Sequence, residues 1–154
     1  MTVPEGGPRG DPAAAPTSTI TPVSPMAPIA ANGMVYVGNA GGDQAGVTGH
    51  VYALDANDGH VVWKFDVVPE TGPARATWTN PKLPISGGAF WTSFTLDEPN
   101  GVLYVPAGNP APDFDIELRT GDNLYTDSVI AIDAATVVRH GFETPGCACS
   151  GGQG

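Results

Sequence analysis

Between residues 27 and 136 the apolar positions fall in short runs, and each run closes in a cluster of Asp, Asn and Gly. In "APIAANGMVYVG" the pair Asn32-Gly33 separates a short apolar segment from the run 34–38. Asn-Gly suits a two-residue hairpin turn because both positions take positive φ there. "VYALDANDGHVVWKFDVV" repeats the design, with runs 51–55 and 61–67 on either side of "ANDG". "WTSFTLDEPNGVLYVP" repeats it with runs 91–96 and 102–106, and the run 128–133 begins a fourth hairpin. No segment longer than a turn carries helical periodicity. The pattern predicts an all-β fold of antiparallel hairpins.

The hairpins also repeat in sequence. "VYALDANDGHVVW" and "VIAIDAATVV" share an apolar-Ala-apolar-Asp-Ala core, with Ala53 and Ala131 78 positions apart. In the first copy Gly59 supplies backbone freedom for the turn, and Trp63 follows as a packing residue between units. In the second copy Val137 stands in place of Gly59 and no Trp follows. Repeated hairpins predict a radial propeller or a stacked array. Insertions such as "PETGPARATWTNPKLPISGG" then lie between strands. Three regions are expected: a disordered or linker-like lead at 1–26, the β region at 27–136, and a foreign or disordered Gly/Ser/Cys tail at 137–154.

Composition narrows the partners. The 154 residues suffice for about one domain. The 16 acidic and 6 basic residues leave a net charge of −10, which argues against nucleic acid and against anionic membrane surfaces. No apolar run has the length of a membrane span. The N-terminus lacks a basic start followed by an apolar core, so it does not read as a secretory signal peptide. Cys147 and Cys149, one residue apart, would form a strained disulfide and only half a zinc site.

Candidate chemistry concentrates in "AGNPAPDFD", residues 107–115. Prolines end the preceding strand, because they cannot donate to a ladder. The segment is either a surface turn or a loop held stiff so that Asn109 presents its amide oxygen. Asp113 and Asp115 flank Phe114 and read as solvated loop acids rather than an acid–base pair. Asp55 and Asp133 recur at turn entries, where they accept backbone hydrogen bonds. His50, His60 and His140 have no second His or Cys at ligand spacing.

"GHVYALDANDGHVVWKFDVVPETG", "ISGGAFWTSFTLDEPNGVLYVPAGNPAPDF" and "GDNLYTDSVIAIDAAT" together resemble the quinoprotein alcohol dehydrogenases. The resemblance implies a fragment, about two to three blades, of an eight-bladed β-propeller with four-stranded blades. It implies pyrroloquinoline quinone as cofactor with a divalent ion, usually calcium, and a larger lanthanide where the ligand set is altered. It implies oxidation of a small alcohol in the periplasm, with electrons passed to cytochrome c or a quinone. By the same resemblance Asn109 is a metal ligand, and Trp91, eighteen residues earlier, is the floor on which the quinone stacks. The family's carboxylate ligand falls in "GGDQAGVTG", at Asp43 or Gln44. The family's catalytic aspartate comes from a later blade and has no counterpart here, so no catalytic residue is assigned. The isolated chain is expected not to be competent alone, and open sheet edges are expected to favour self-association. The rival expectation is a non-catalytic propeller that binds or scaffolds; Trp91 with "GNPAP" discriminates against it.

Overall fold

The computed structural model describes residues 26–143. They form two four-stranded antiparallel sheets, each a meander in chain order. The first holds β1 (Ile29–Ala31), β2 (Met34–Gly38), β3 (His50–Asp55) and β4 (Val61–Asp66). The second holds β5 (Thr95–Asp97), β6 (Val102–Pro106), β7 (Val129–Asp133) and β8 (Arg139–Glu143). One helical turn, α1 (Pro73–Ala76), and a 3-10 turn at Ile116–Leu118 are the helical pieces among the described residues. The all-β expectation holds, and the hairpins pair into two blades rather than standing as four units.

Register turns the sequence repeat into a physical one. Tyr36 lies opposite Ala53, and Ala53 opposite Trp63. Tyr104 lies opposite Ala131, and Ala131 opposite Gly141. Each sheet carries a register shift directly after that alanine, at Ala53/Leu54 and at Ala131/Ile132. The closing turns also match. Gly59 N–H donates to the Asp55 carbonyl at 2.9 Å, and Val137 N–H donates to the Asp133 carbonyl at 3.1 Å. Asp55 and Asp133 accept backbone N–H bonds on their side chains, as expected at turn entries.

Two expected boundaries therefore move. The second repeat does not break at Val137: that residue takes the turn's positive φ of 63°, where Gly59 has 76°. β8 then completes the sheet inside the stretch expected to be a foreign tail. Met26, expected in the lead, is 5 % exposed and belongs to the core. The rest of the lead, and Cys147 and Cys149, lie outside the described residues.

The core is the seam between the blades. Tyr36, Val51, Ala53 and Trp63 from the first sheet pack with Leu103, Val105, Ile130 and Ile132 from the second. Trp63 Nε1–H and the Tyr36 hydroxyl both donate to the Ala134 carbonyl, at 3.1 and 3.2 Å. One buried acceptor thus satisfies the polar ends of two large rings whose centroids are 5.9 Å apart. Trp63 fills the packing role expected of it between blades.

Candidate cation and cofactor site

Three irregular segments meet at one end of the seam: the β2–β3 loop, the start of the β6–β7 loop, and residues 86–90. Residues 86–90 run between the two loops as a strap bonded on both sides. Gly87 N–H donates to Val47 and Gly49 N–H to Gly87, each at 2.9 Å. Toward the other loop, Gly88 N–H donates to the Asn109 carbonyl at 2.9 Å and Ala111 N–H to Ser86 at 3.0 Å. Gly87 has φ +118°, and a Cβ there would meet the Asn109 carbonyl and Pro110 backbone. Only glycine lets the loops close on the strap this tightly. The strand expected over 91–96 is shorter: residues 91–94 link the strap to β5, which begins at Thr95.

The strap delivers Trp91 directly after the buried Phe90. A Cβ at Gly108 would lie 3.2 Å from Cδ1 and from Nε1 of Trp91, so the indole rests on the backbone just before Asn109. Trp91 is 55 % exposed, while Trp63 and Trp78 are buried. Trp78 spends its Nε1–H on the Leu124 carbonyl and is structural. Trp91 therefore offers an open aromatic surface beside Asn109.

Asn109 donates from Nδ2 to Asp113 Oδ1 at 2.6 Å and to the Pro110 carbonyl at 3.2 Å. On the other side, the Asp43 carboxyl is in hydrogen-bonding contact with Asp113. Asp43 is exposed; slight desolvation, then the charge and hydrogen bond of Asp113, push its carboxyl above the usual carboxylate range. Arg119 Nη2 donates to the Asp113 carbonyl at 3.1 Å. Burial raises the Asp127 carboxyl as well; Arg119 opposes that rise and Asp113 adds to it.

Asp43, Asn109 and Trp91 thus lie in one loop cluster. Asn109 and Trp91 meet through Gly108, and Asp43 and Asn109 meet through Asp113. The Gln44 side chain turns back toward Gly41, while Asp43 reaches across to the other blade. Asp113 is the residue that sequence reading missed: it is half-buried rather than solvated, while Asp115 is exposed as expected. Its position four residues after Asn109, across two prolines, is the signal that could have found it. A separate group, Asp55, Asp58 and His60, has donor atoms within 4.8 Å of one another on the exposed β3–β4 turn.

The donor set suits a hard, oxygen-seeking cation. Two carboxylates forced together repel unless a proton or a metal ion lies between them, and a neutral amide completes an oxygen-rich face. The exposed indole suits a flat conjugated ring.

Residues 11–139 match the family model described as PQQ: glucose/ethanol/alcohol dehydrogenase, beta-propeller domain. The chain is 38 % identical to quinohemoprotein alcohol dehydrogenase ADH IIB of Pseudomonas putida, over 78 % of this chain and 20 % of that protein. It is 33 % identical to lupanine 17-hydroxylase [cytochrome c] of a Pseudomonas species, over 71 % and 18 %. The solved quinohemoprotein alcohol dehydrogenase ADHIIG of Pseudomonas putida HK5 superposes with a TM-score of 0.68 at 32 % identity, covering 77 % of this chain and 19 % of that one. A europium-containing methanol dehydrogenase superposes with a TM-score of 0.60 at 25 % identity, covering 73 % and 23 %. The two sheets are blades of a quinoprotein β-propeller. The chain belongs to the family of glucose, ethanol and alcohol dehydrogenases that use pyrroloquinoline quinone. It spans about a fifth of the length of the curated relatives it matches.

Proposed function

We propose that this chain supplies one wall of the cofactor site of a quinoprotein dehydrogenase that oxidises a small alcohol. The observation that carries the reading is the convergence of Asp43, Asn109 and the exposed Trp91 on one strap-bound loop cluster. Trp91 stacks the quinone. The Asp43 carboxylate and the Asn109 amide oxygen hold the cation, calcium or a lanthanide. When bound, the cofactor supplies a two-electron acceptor for the alcohol. The chain's own contribution is to bind and orient: the strap fixes Asn109, Gly108 leaves room for the indole, and Asp113 keeps the loops together. The family's catalytic aspartate has no counterpart among these residues, so the chain alone binds without turning over. The periplasmic setting, and cytochrome c or a quinone as electron acceptor, belong to the same reading. So does self-association through open sheet edges.

Titration of the folded chain with pyrroloquinoline quinone in calcium tests this. Saturable quenching of tryptophan fluorescence is expected, and Trp91→Ala, a change at an exposed side chain, abolishes it. A chain that circular dichroism shows to be folded, yet that binds no quinone, overturns the reading in favour of a non-catalytic propeller.

A further inference from the structure

We propose that a second copy of this chain docks its first sheet on the open face of the second sheet, repeating between copies the seam that joins the two sheets within one chain. The inference does not rest on the cofactor reading. It also differs from edge pairing, because faces meet rather than edges.

The internal seam has two sides. The first sheet contributes its front face, with Tyr36, Ala53 and Trp63 in a row. The second contributes its back face, where Leu103 lies opposite Ile132 and Val105 opposite Ile130, all fully buried. The Ala134 carbonyl joins the two sides by accepting from the Tyr36 hydroxyl and the Trp63 indole.

Each sheet also carries the side that it does not use. On the front of the second sheet, Tyr104 stands at the place of Tyr36 and Val129 at the place of Val51. They are 39 % and 40 % exposed, against 3 % and 0 % for their counterparts. On the back of the first sheet, Val35 lies opposite Leu54 and Val37 opposite Tyr52, apolar at all the matching positions. Val35, Val37 and Leu54 are half-buried, and Tyr52 is buried, edge-on to the His50 ring. The acceptor is repeated as well. Ala134 N–H donates to the Gly101 carbonyl and Ala56 N–H to the Gly33 carbonyl, so Ala56 holds the place of Ala134. Ala134 is buried and Ala56 is exposed.

In the seam between copies, the Tyr104 hydroxyl donates to the Ala56 carbonyl of the second copy. Gly141 stands where Trp63 would add a second donor, so this seam is weaker than the internal one. The two faces differ, and each copy carries one of each. The contact is therefore head-to-tail and does not stop at two copies.

Sedimentation of the 154-residue chain over about 1–200 µM, the range in which modest affinities show, tests this. The average mass is expected to rise with concentration past that of a dimer. Tyr104→Glu and Ala56→Glu change side chains that are exposed in the single chain, and circular dichroism confirms the fold of each. Each puts a charge into the seam, and each is expected to weaken association about ten-fold or more. Tyr104→Phe removes the hydroxyl alone and is expected to weaken it about five-fold. The two Glu variants mixed are expected to form a one-to-one complex and nothing larger, because one keeps the back face and the other the front. A chain that stays monomeric over this range overturns the inference. So does a mass that stops at the dimer, or a mixture that forms no complex. Association that survives in both Glu variants overturns it too and returns the contact to the sheet edges.

Discussion

Tyr36 in the first sheet is 3 % exposed, and Tyr104, at the same place in the second sheet, is 39 % exposed. Both lie opposite an alanine in a sheet of the same order and register. The strands do not cause the difference. The face of the first sheet is covered by the second, while among the described residues nothing covers the same face of the second. Trp63 completes the row in the first sheet, and Gly141 stands in its place in the second, with open space where its Cβ would be. A blade of this kind is a half-finished object. Its hairpins set its shape, and its neighbour gives its apolar row somewhere to go.

The sharpest way to break the comparison is to truncate the row in each sheet. Trp63→Ala removes a buried ring and its bond to Ala134, and is expected to cost about 3–5 kcal/mol in urea unfolding. Tyr104→Ala removes a ring that is already partly in water and is expected to cost under about 1 kcal/mol. Equal costs would show that the second face is covered in solution, which would itself report self-association. The strap gives the next largest effect. Gly87→Ala places a Cβ against the Asn109 carbonyl at a positive φ, and a loss of about 2–3 kcal/mol is expected. Cation binding should weaken with it, because the strap holds Asn109.

Much of this was readable in advance, for local reasons. The Asn32-Gly33 turn, the Asp-led turns and the seam role of Trp63 follow from chemistry within a few residues. The same holds for the pairing of Trp91 with Asn109, carried by a family motif. What escaped reading depends on contacts distant in sequence or on backbone alone. Asp113 lies near Asp43, which comes from the β2–β3 loop, distant in sequence. The strap bonds through its main chain and contains consecutive glycines, so no pattern of side chains announces it. β8 was hidden because Val137 breaks the turn's usual composition without breaking its geometry.

That turn offers a smaller test. Gly59 and Val137 occupy equivalent positions with φ of 76° and 63°. Left-handed backbone costs an ordinary residue about 1–2 kcal/mol, so Gly59→Val is expected to destabilise the first sheet by about that amount. Val137→Gly should recover less, about 0.5–1 kcal/mol, because Val137 also packs on the core and that contact is lost. A loss on Val137→Gly would show that packing outweighs strain at this turn.

The smallest effect separates the sheets by pH. His50 begins β3, and the matching position before β7 is Ser128, which does not titrate in this range. Burial lowers the His50 pKa below its ordinary value, and nearby Lys64 lowers it further. Asp66, bonded to its ring at 2.7 Å, opposes both without reversing the direction. The folded state therefore favours neutral His50, while the unfolded chain takes up its proton near the ordinary value of about 6.5. Stability from this residue is fully present above that pH and declines as pH falls below it, toward the lowered folded value. His60 runs the other way. The hydrogen bond and charge of Asp58 raise its pKa, so its contribution is present at lower pH and fades as pH rises through the raised value. His50→Gln should flatten the acid-side loss of stability, and His60→Gln should steepen it. Urea midpoints measured between about pH 5 and 7.5 decide this, because that window spans the ordinary histidine range. An unchanged slope for His50→Gln would mean that the ion pair with Asp66 cancels the effect of burial, and a steeper acid-side loss would mean that it outweighs burial.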